Sequence, residues 1–166
     1  MVIKRIIQGI ILPLTVAVSI ISTGCKSSKE PVTTAAYHVP KTECVMVTAN
    51  DKVLLEVWAK GLNKSQALTA AKKKAVEEIT FSGIHAGETN GVSYPLIDNP
   101  TAKETHKEFF NSFFADKGKF NDFVREADKG NTTLTQGDNF VLCRTKLIVD
   151  KAALITYFKK KKIIKQ

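Results

Sequence analysis

The sequence predicts an α+β fold: an antiparallel sheet of about four strands, two main helices packed on it, and a Phe-rich helical insertion. Three observations predict it. Two β-rich runs flank a short polar turn at residues 43–59, apolar residues at helical spacing follow at residues 63–83, and further β-rich runs precede a final helix. Strands and helices that are segregated along the chain are typical of α+β domains. We expect one domain at residues 41–166, with the insertion at about residues 84–124.

The first β-rich runs, residues 43–49 and 53–59, predict a β-hairpin. They flank Asn50-Asp51-Lys52, whose Asn and Asp tolerate a tight reversal. In the second run every other residue is expected to face the core: Val53, Leu55, Val57 and Ala59. Trp58 then lies on the opposite face of the sheet.

The clearest helix begins at Asn63 or Ser65 and ends at Gly83. Asn63 and Gln66 have the spacing of a capping box, and glycine favours a left-handed stop. One apolar stripe of mostly small side chains follows helical spacing: Leu68, Ala71, Ala75, Val76 and Ile79. Lysines 72–74 lie mostly on the opposite arc. They form either a solvated face or a phosphate-binding patch, and the nearby acids at residues 77–78 favour the solvated face.

The insertion begins as a loop at residues 84–100. Thr101 and Glu104 have capping-box spacing and predict a helix through about Lys117, ended by Gly118. Six phenylalanines crowd this region: Phe109, Phe110, Phe113, Phe114, Phe120 and Phe123. Together with Trp58 they are candidates for a partner-docking surface. The alternative is a small satellite core that pins the insertion to the sheet, because aromatic residues at helical spacing are usually buried.

The C-terminal part predicts the rest of the sheet and the second main helix. A weak strand pattern at residues 123–133, broken at Lys129-Gly130, precedes a strong one at residues 140–149, with a turn at residues 136–139. Asp150 is placed to cap a helix from Lys151 to about Lys162. Its expected apolar contacts are Leu154, Tyr157 and Phe158.

The positive charge is concentrated at the two ends of the chain. The net charge is +9, with two basic residues in the first 24 positions and five in the tail, which leaves +2 for the remainder. The tail lysines are Lys159, Lys160, Lys161, Lys162 and Lys165. They complement the helix dipole or, alternatively, contact anionic lipid headgroups. Because the remainder of the chain has a net charge of only +2, the sequence argues against a nucleic-acid partner.

The N-terminus predicts an export signal at residues 1–24. Lys4 and Arg5 precede a short apolar run that contains Pro13, which suits a signal peptide better than a membrane span. Residues Ile21–Cys25 resemble the lipobox of bacterial lipoproteins, although Ser22 stands where leucine is usual. That resemblance implies cleavage before Cys25, lipid on its sulfur, and anchoring to a membrane. The alternatives are an ordinary secretory signal with a free thiol at Cys25, or an uncleaved helix.

The lipoprotein resemblance also implies a location. Lys26 after the cysteine favours the outer membrane, so the domain is expected in the periplasm, raised from the bilayer by a Ser-, Thr- and Pro-containing linker at residues 25–40. Cys44 and Cys143 would then be a candidate disulfide in an oxidising compartment. Two buried free thiols are the alternative, which we favour.

No motif with a catalytic mechanism is present in the sequence. His38, His85 and His106 are scattered over linker, loop and helix, and no Cys/His cluster has the spacing of a zinc site. We therefore expect no enzymatic activity, no metal, and no cofactor beyond a covalent lipid on Cys25.

A second resemblance concerns the mature domain. Residues 56–61, 63–67 and 70–76 (EVWAKG, NKSQA and AAKKKAV) are similar to the N-terminal domain of the flagellar protein FlgT and its small lipoprotein relatives. Uncharacterised Gram-negative envelope lipoproteins share the pattern Phe81-x-Gly83-Ile84 and the ending Val149-Asp150-Lys151-x-x-Leu154. The likeness covers about residues 42–83 and 138–164. It implies a domain for assembly or protein contact, and the Phe-rich insertion departs from it, so no flagellar role is implied.

The predicted function is therefore that of a lipid-anchored, non-enzymatic binding or assembly component that faces the periplasm and contacts another envelope protein. One alternative is a carrier of an apolar small ligand, in a pocket lined by Phe110, Phe113 and Phe114. A further alternative, a cell-wall hydrolase, requires a cleft in which polar groups converge on a histidine.

Overall fold

A computed structural model describes residues 41–128, 130 and 132–165. The strands are β1 (Thr42–Val47), β2 (Lys52–Gly61), β3 (Val124–Glu126), β4 (Thr133–Gln136) and β5 (Val141–Asp150). The helices are α1 (Lys64–Phe81), α2 (Ala102–Thr105), α3 (Lys107–Phe113) and α4 (Lys151–Lys160), with a 3-10 helix at Lys119–Phe123. The predicted signal, Cys25, the linker and His38 lie outside the described residues.

The strands form one antiparallel sheet, which confirms the predicted α+β class. β1 pairs with β2, β2 pairs with β5, and both β3 and β4 pair with the free side of β5. The weak strand pattern at residues 123–133 contains β3 but only the first residue of β4, which continues to Gln136; the two short strands share one edge of the sheet. The predicted number of about four strands fits the sheet, because β3 and β4 lie one after the other along the same edge of β5 and together take the place of a single strand.

The core lies between one face of the sheet and α1. Val53, Leu55 and Val57 are fully buried, as the alternation in β2 predicts. Most of the predicted stripe of α1 packs against them, and Leu68 is half-buried at the edge. The small side chains of this stripe allow the helix to lie close to the strands, so the helix-covered face of the sheet is well packed.

The predicted ends of α1 are confirmed. Asn63 caps the helix, because its Oδ1 accepts a hydrogen bond from the Gln66 backbone N–H at 3.0 Å. The Gln66 side chain returns to the N–H of Leu62 at 3.1 Å, one residue before the position that a capping box prescribes. Gly83 follows the helix with φ +74°, the left-handed conformation that glycine adopts without a steric penalty.

The long helix predicted from Thr101 to Lys117 is wrong. The chain forms α2 and α3, separated at His106, and α3 ends at Phe113. Thr101 makes no side-chain cap, because its backbone N–H and its hydroxyl both donate to Asn99 Oδ1, at 3.0 and 2.9 Å. Gly118 is not a left-handed stop, since its φ is −72° and it precedes the 3-10 helix.

The helix α4 closes the core, and its predicted cap is confirmed. Asp150 Oδ1 accepts a hydrogen bond from the backbone N–H of Ala153 at 2.9 Å. Leu154 and Phe158 are fully buried, while Tyr157 is half-buried against the rings of the insertion. The helix ends at Lys160, close to the predicted end.

Candidate partner-binding face around Trp58

The sheet has a second face, which we call the outer face. It carries the side chains that alternate with the buried ones: Leu54, Glu56, Trp58 and Lys60 of β2, and Leu142, Arg144, Lys146 and Ile148 of β5. Within the described residues the helices pack on the opposite face. Of these eight side chains only Leu142 is buried, at 4% exposure. The other seven are at least partly exposed, so the described helices leave this face of the sheet accessible.

Trp58 lies on this face, as predicted, and is held from two sides. Arg144 stands directly opposite in the register between β2 and β5, with its guanidinium carbon 5.1 Å from the ring centroid. Lys41 Nζ lies 5.6 Å from the same ring. Cations at these distances are attracted to the face of an indole. The half-buried tryptophan is therefore held in a defined orientation.

Arg144 is itself fixed by a carboxylate. Its Nε and one terminal nitrogen donate to the two oxygens of Glu56, each at 3.0 Å. A two-point contact of this kind holds the planar guanidinium in one orientation. Because Glu56 and Trp58 are two residues apart on β2, the pair and the ring share the outer face, and the guanidinium bridges them.

A small depression adjoins Trp58. It has a volume of about 100 Å³ and is lined by Trp58, Thr133, Thr135, Leu142 and Arg144. Pockets for organic ligands usually enclose about 300–1,000 Å³. The depression is too small for such a ligand, and its size suits one apolar side chain of a partner.

The charge of the outer face is predominantly positive. The strand registers place five basic residues on it: Lys52, Lys60, Arg125, Arg144 and Lys146. The carboxylates of Glu43 and Glu56 share the face, and Asp150 at its end is engaged as the cap of α4. An acidic partner surface would complement this distribution.

The prediction of an aromatic docking surface is wrong for five of the six phenylalanines, which are buried. Phe110, Phe113, Phe114, Phe120 and Phe123 belong to the main core, each at 8% exposure or less. The satellite-core interpretation fits this burial, although the rings join the main core and do not form a separate one. Phe109 is half-buried. Of the predicted docking residues, Trp58 and Phe109 retain surface that a partner could contact.

The buried rings pack against one another. Phe113 has five aromatic neighbours, with ring centroids 4.8–6.0 Å away: Phe109, Phe114, Phe123, Tyr157 and Phe158. Such distances are those of direct ring contact. This dense packing counts against a ligand carrier, which requires space between Phe110, Phe113 and Phe114.

Cys44 and Cys143 do not form the candidate disulfide, and both are free, buried thiols. Cys44 lies opposite Leu55 on one side of β2, and Cys143 lies opposite Ala59 on the other. Two strand spacings and four residues along the strand separate their Cα atoms by about 16 Å. A disulfide needs less than about 7 Å. Burial raises the pKa of both thiols, and the nearby carboxylates of Glu88 and Glu126 add to the rise.

The histidines are not brought together with carboxylates. His85 is exposed and its Nε2 lies 3.3 Å from the backbone oxygen of Ser82, while His106 packs edge-on against Phe110 at 6.4 Å. Across the part of the chain that the structure describes, neither imidazole has an ion pair or hydrogen bond with a carboxylate. Over the same residues, no group of three His, Cys, Asp or Glu side chains could hold a metal ion.

An unpredicted groove runs beside the start of α1. Its volume is about 770 Å³, and its lining includes Leu62, Gln66, Lys73, Lys117 and Phe140. Leu62 is 76% exposed. The signal in the sequence was this leucine, an apolar residue in the short connection between β2 and α1.

Lysines 72–74 are half-buried and partly paired, which differs from the predicted solvated face. Lys72 pairs with Glu126 at 3.5 Å, and Lys74 pairs with Glu78 one turn further along α1. Lys73 lines the groove beside α1. Pairing with acids leaves little of this run for phosphate.

Comparisons with known proteins return no match from family models, from curated proteins or from solved structures. Among the described residues, no helix is both long and apolar enough to cross a membrane.

Proposed function

We propose that this protein is a lipid-anchored, non-enzymatic component of the outer membrane, which faces the periplasm and binds an acidic protein surface through its outer face. The observation that carries the proposal is the position of Trp58. A half-buried tryptophan lies on the sheet face opposite the helices, between two cations and beside a depression of side-chain size. Tryptophan and arginine are the residues most enriched among those that dominate binding energy at protein interfaces.

Charge supports the choice of an acidic partner. Two basic side chains, Lys41 and Arg144, flank Trp58, and each also pairs with a glutamate. Basic residues outnumber acidic ones on the outer face as a whole, so an acidic partner that inserts an apolar side chain into the depression would meet a complementary charge. Opposite charges at an interface accelerate association and exclude wrongly charged partners. The lipid anchor, expected from Ile21–Cys25, would keep this face close to other envelope components.

The anchor and the binding face are tested separately. Cys25→Ala should release the protein from membranes after a mild salt wash, and retention of the variant would contradict lipid anchoring. For the binding face, Trp58→Ala is compared with Tyr94→Ala, which removes an aromatic side chain that is 87% exposed in the insertion loop.

The binding experiment is cross-linking in intact cells followed by purification of the protein. A partner that binds the outer face should be recovered reproducibly with the parent and with Tyr94→Ala, and lost with Trp58→Ala. Circular dichroism checks that both variants are folded. Equal recovery with Trp58→Ala would show that the partner binds elsewhere, and would overturn the assignment of the outer face.

A further inference from the structure

The domain ends in a group of cations that we call the C-terminal lysine cluster: Lys159, Lys160, Lys161, Lys162 and Lys165. All five are exposed, and none forms an ion pair with any described residue. Elsewhere six lysines do pair with carboxylates: Lys41, Lys72, Lys74, Lys103, Lys119 and Lys151. The cluster is therefore a concentration of charge that the domain itself does not neutralise.

The helix dipole accounts for only part of this cluster. Lysines stabilise a helix when they lie in its last turn, and the effect falls off beyond it. Lys159 and Lys160 lie in the last turn of α4, which ends at Lys160. Lys162 and Lys165 follow the helix, so complementing its dipole does not explain them.

The turn after α4 holds the cluster in a defined position. The backbone N–H of Ile163 donates to the Phe158 carbonyl, and that of Lys162 donates to the Lys159 carbonyl, both at 2.9 Å. These two bonds form a Schellman motif, with Ile163 packed against the core. The end of α4 and the turn that follows it, which carry four of the five lysines, are therefore anchored in the protein.

Lys162 occupies the left-handed position of this motif, with φ +58°. Glycine is the usual residue there, because a Cβ atom makes the conformation unfavourable. A lysine at this position lowers the stability of the turn and adds a positive charge to the cluster. Conformations of this kind are often retained where the side chain has a role in binding.

We propose that the C-terminal lysine cluster binds the phosphate groups of an anionic phospholipid surface. A bilayer presents many phosphates in one plane, so it can contact several neighbouring lysines at once without a shaped pocket. Each lysine held near such a surface adds to the attraction. The contact is separate from the proposed protein-binding face and does not rest on the lipid anchor.

The test measures partitioning of the full chain onto vesicles, with Cys25→Ser in every sample to prevent lipidation. One set of vesicles is phosphatidylcholine and the other also contains phosphatidylglycerol. Replacing Lys159, Lys160, Lys161 and Lys162 by glutamine should lower binding to the anionic vesicles at least about tenfold, since each lysine contributes up to about fivefold. Binding to neutral vesicles should not change, because phosphatidylcholine carries no net charge that would attract the lysines.

A matched control removes the same charge elsewhere. Lys52, Lys64, Lys107 and Lys117 are exposed and are replaced by glutamine together. The control should lose less than about threefold, because these residues are dispersed over the domain. An equal loss in the control would show that net charge alone drives binding, and would overturn the proposal.

A single substitution separates binding from folding. Lys162→Gly relieves the left-handed strain, so it should raise the melting temperature and yet weaken binding to anionic vesicles up to about fivefold. Unchanged vesicle binding in both cluster variants would refute the proposal. The same variants are tested with a soluble anionic polysaccharide. If they lose binding to the polysaccharide but keep binding to the vesicles, the cluster binds that polymer, and the membrane assignment is refuted. Because the vesicles contain no protein partner, either result leaves the proposed function standing.

Discussion

Phe113→Ala is the substitution that most directly tests the aromatic core. Phe113 is 2% exposed, and its ring contacts five other aromatic rings, contributed by α3 and the residue after it, by α4 and by the 3-10 helix. Its removal would leave a cavity at the point where the insertion meets α4. If the insertion is held to the domain by this packing, the whole domain should lose stability.

The expected loss is worked from two contributions and compared with the typical total cost of such substitutions. Burying a phenylalanine side chain contributes about 1.5–3 kcal/mol. Each aromatic pair adds about 0.5–1.5 kcal/mol beyond the buried area, although contributions from neighbouring pairs are not additive. Substitutions of buried phenylalanine by alanine typically cost about 3–5 kcal/mol. With five ring contacts removed, we expect a decrease of about 4 kcal/mol in the free energy of unfolding.

Urea unfolding followed by circular dichroism measures this decrease. The midpoint should fall by about 2 M, for an m-value of about 2 kcal/mol/M. Tyr94→Ala is the control, because its exposed ring should change stability by less than about 0.5 kcal/mol. A decrease below about 1 kcal/mol for Phe113→Ala, with the m-value unchanged, would refute the packing argument.

Three further predictions concern the backbone and the thiols. Gly83→Ala should lower the melting temperature more than Gly91→Ala, because both have positive φ but only at Gly83 would the new Cβ lie 2.2 Å from a backbone oxygen. Asn63→Ala should cost about 1 kcal/mol in urea unfolding, since it removes the cap of α1. Burial raises the pKa of Cys44 and Cys143 above the ordinary value of 9.0, so their contribution to stability should be complete below that pH and be lost as the pH rises through the folded-state pKa. Melting temperatures at pH 8–11, compared with those of the double Cys→Ala variant, test this, and parallel curves would contradict it.

The sheet and α1 could be predicted because their signals are local. The alternation of Val53, Leu55 and Val57 requires only that one face of β2 be buried, and the cap at Asn63 requires only residues within one turn. Asp150 before α4 is a signal of the same kind. Each of these signals depends only on a few neighbouring residues, so contacts with the rest of the fold had little influence on them.

The break in the insertion helix could not be predicted from the same kind of signal. Thr101 and Glu104 have true capping-box spacing, but Asn99 competes for the Thr101 backbone N–H and takes it. The interruption at His106 then lets α3 turn its rings toward α1 and α4, with Phe110 4.9 Å from Phe81. These contacts join residues far apart in the sequence, and no periodicity within the insertion encodes them.

The candidate site divides along the same line. That Trp58 faces away from the core followed from alternation in β2, whereas its contact with Arg144 depends on the register between β2 and β5, which joins residues 86 positions apart. For the Phe-rich segment, the sequence identified the residues but not whether they are buried. Its composition identified aromatic residues, but only their packing distinguishes a core from a docking surface.

The order around Trp58 also bears on how strongly the outer face could bind. Immobilising a flexible side chain at an interface costs about 0.5–1.5 kcal/mol. Arg144 is already held by two hydrogen bonds to Glu56, and its guanidinium restricts the indole ring. Both side chains are therefore already ordered before a partner binds, and binding would not have to supply that cost. If the proposed partner binds the outer face, its affinity should therefore depend on Glu56, which orients Arg144, as well as on the ring that it would touch.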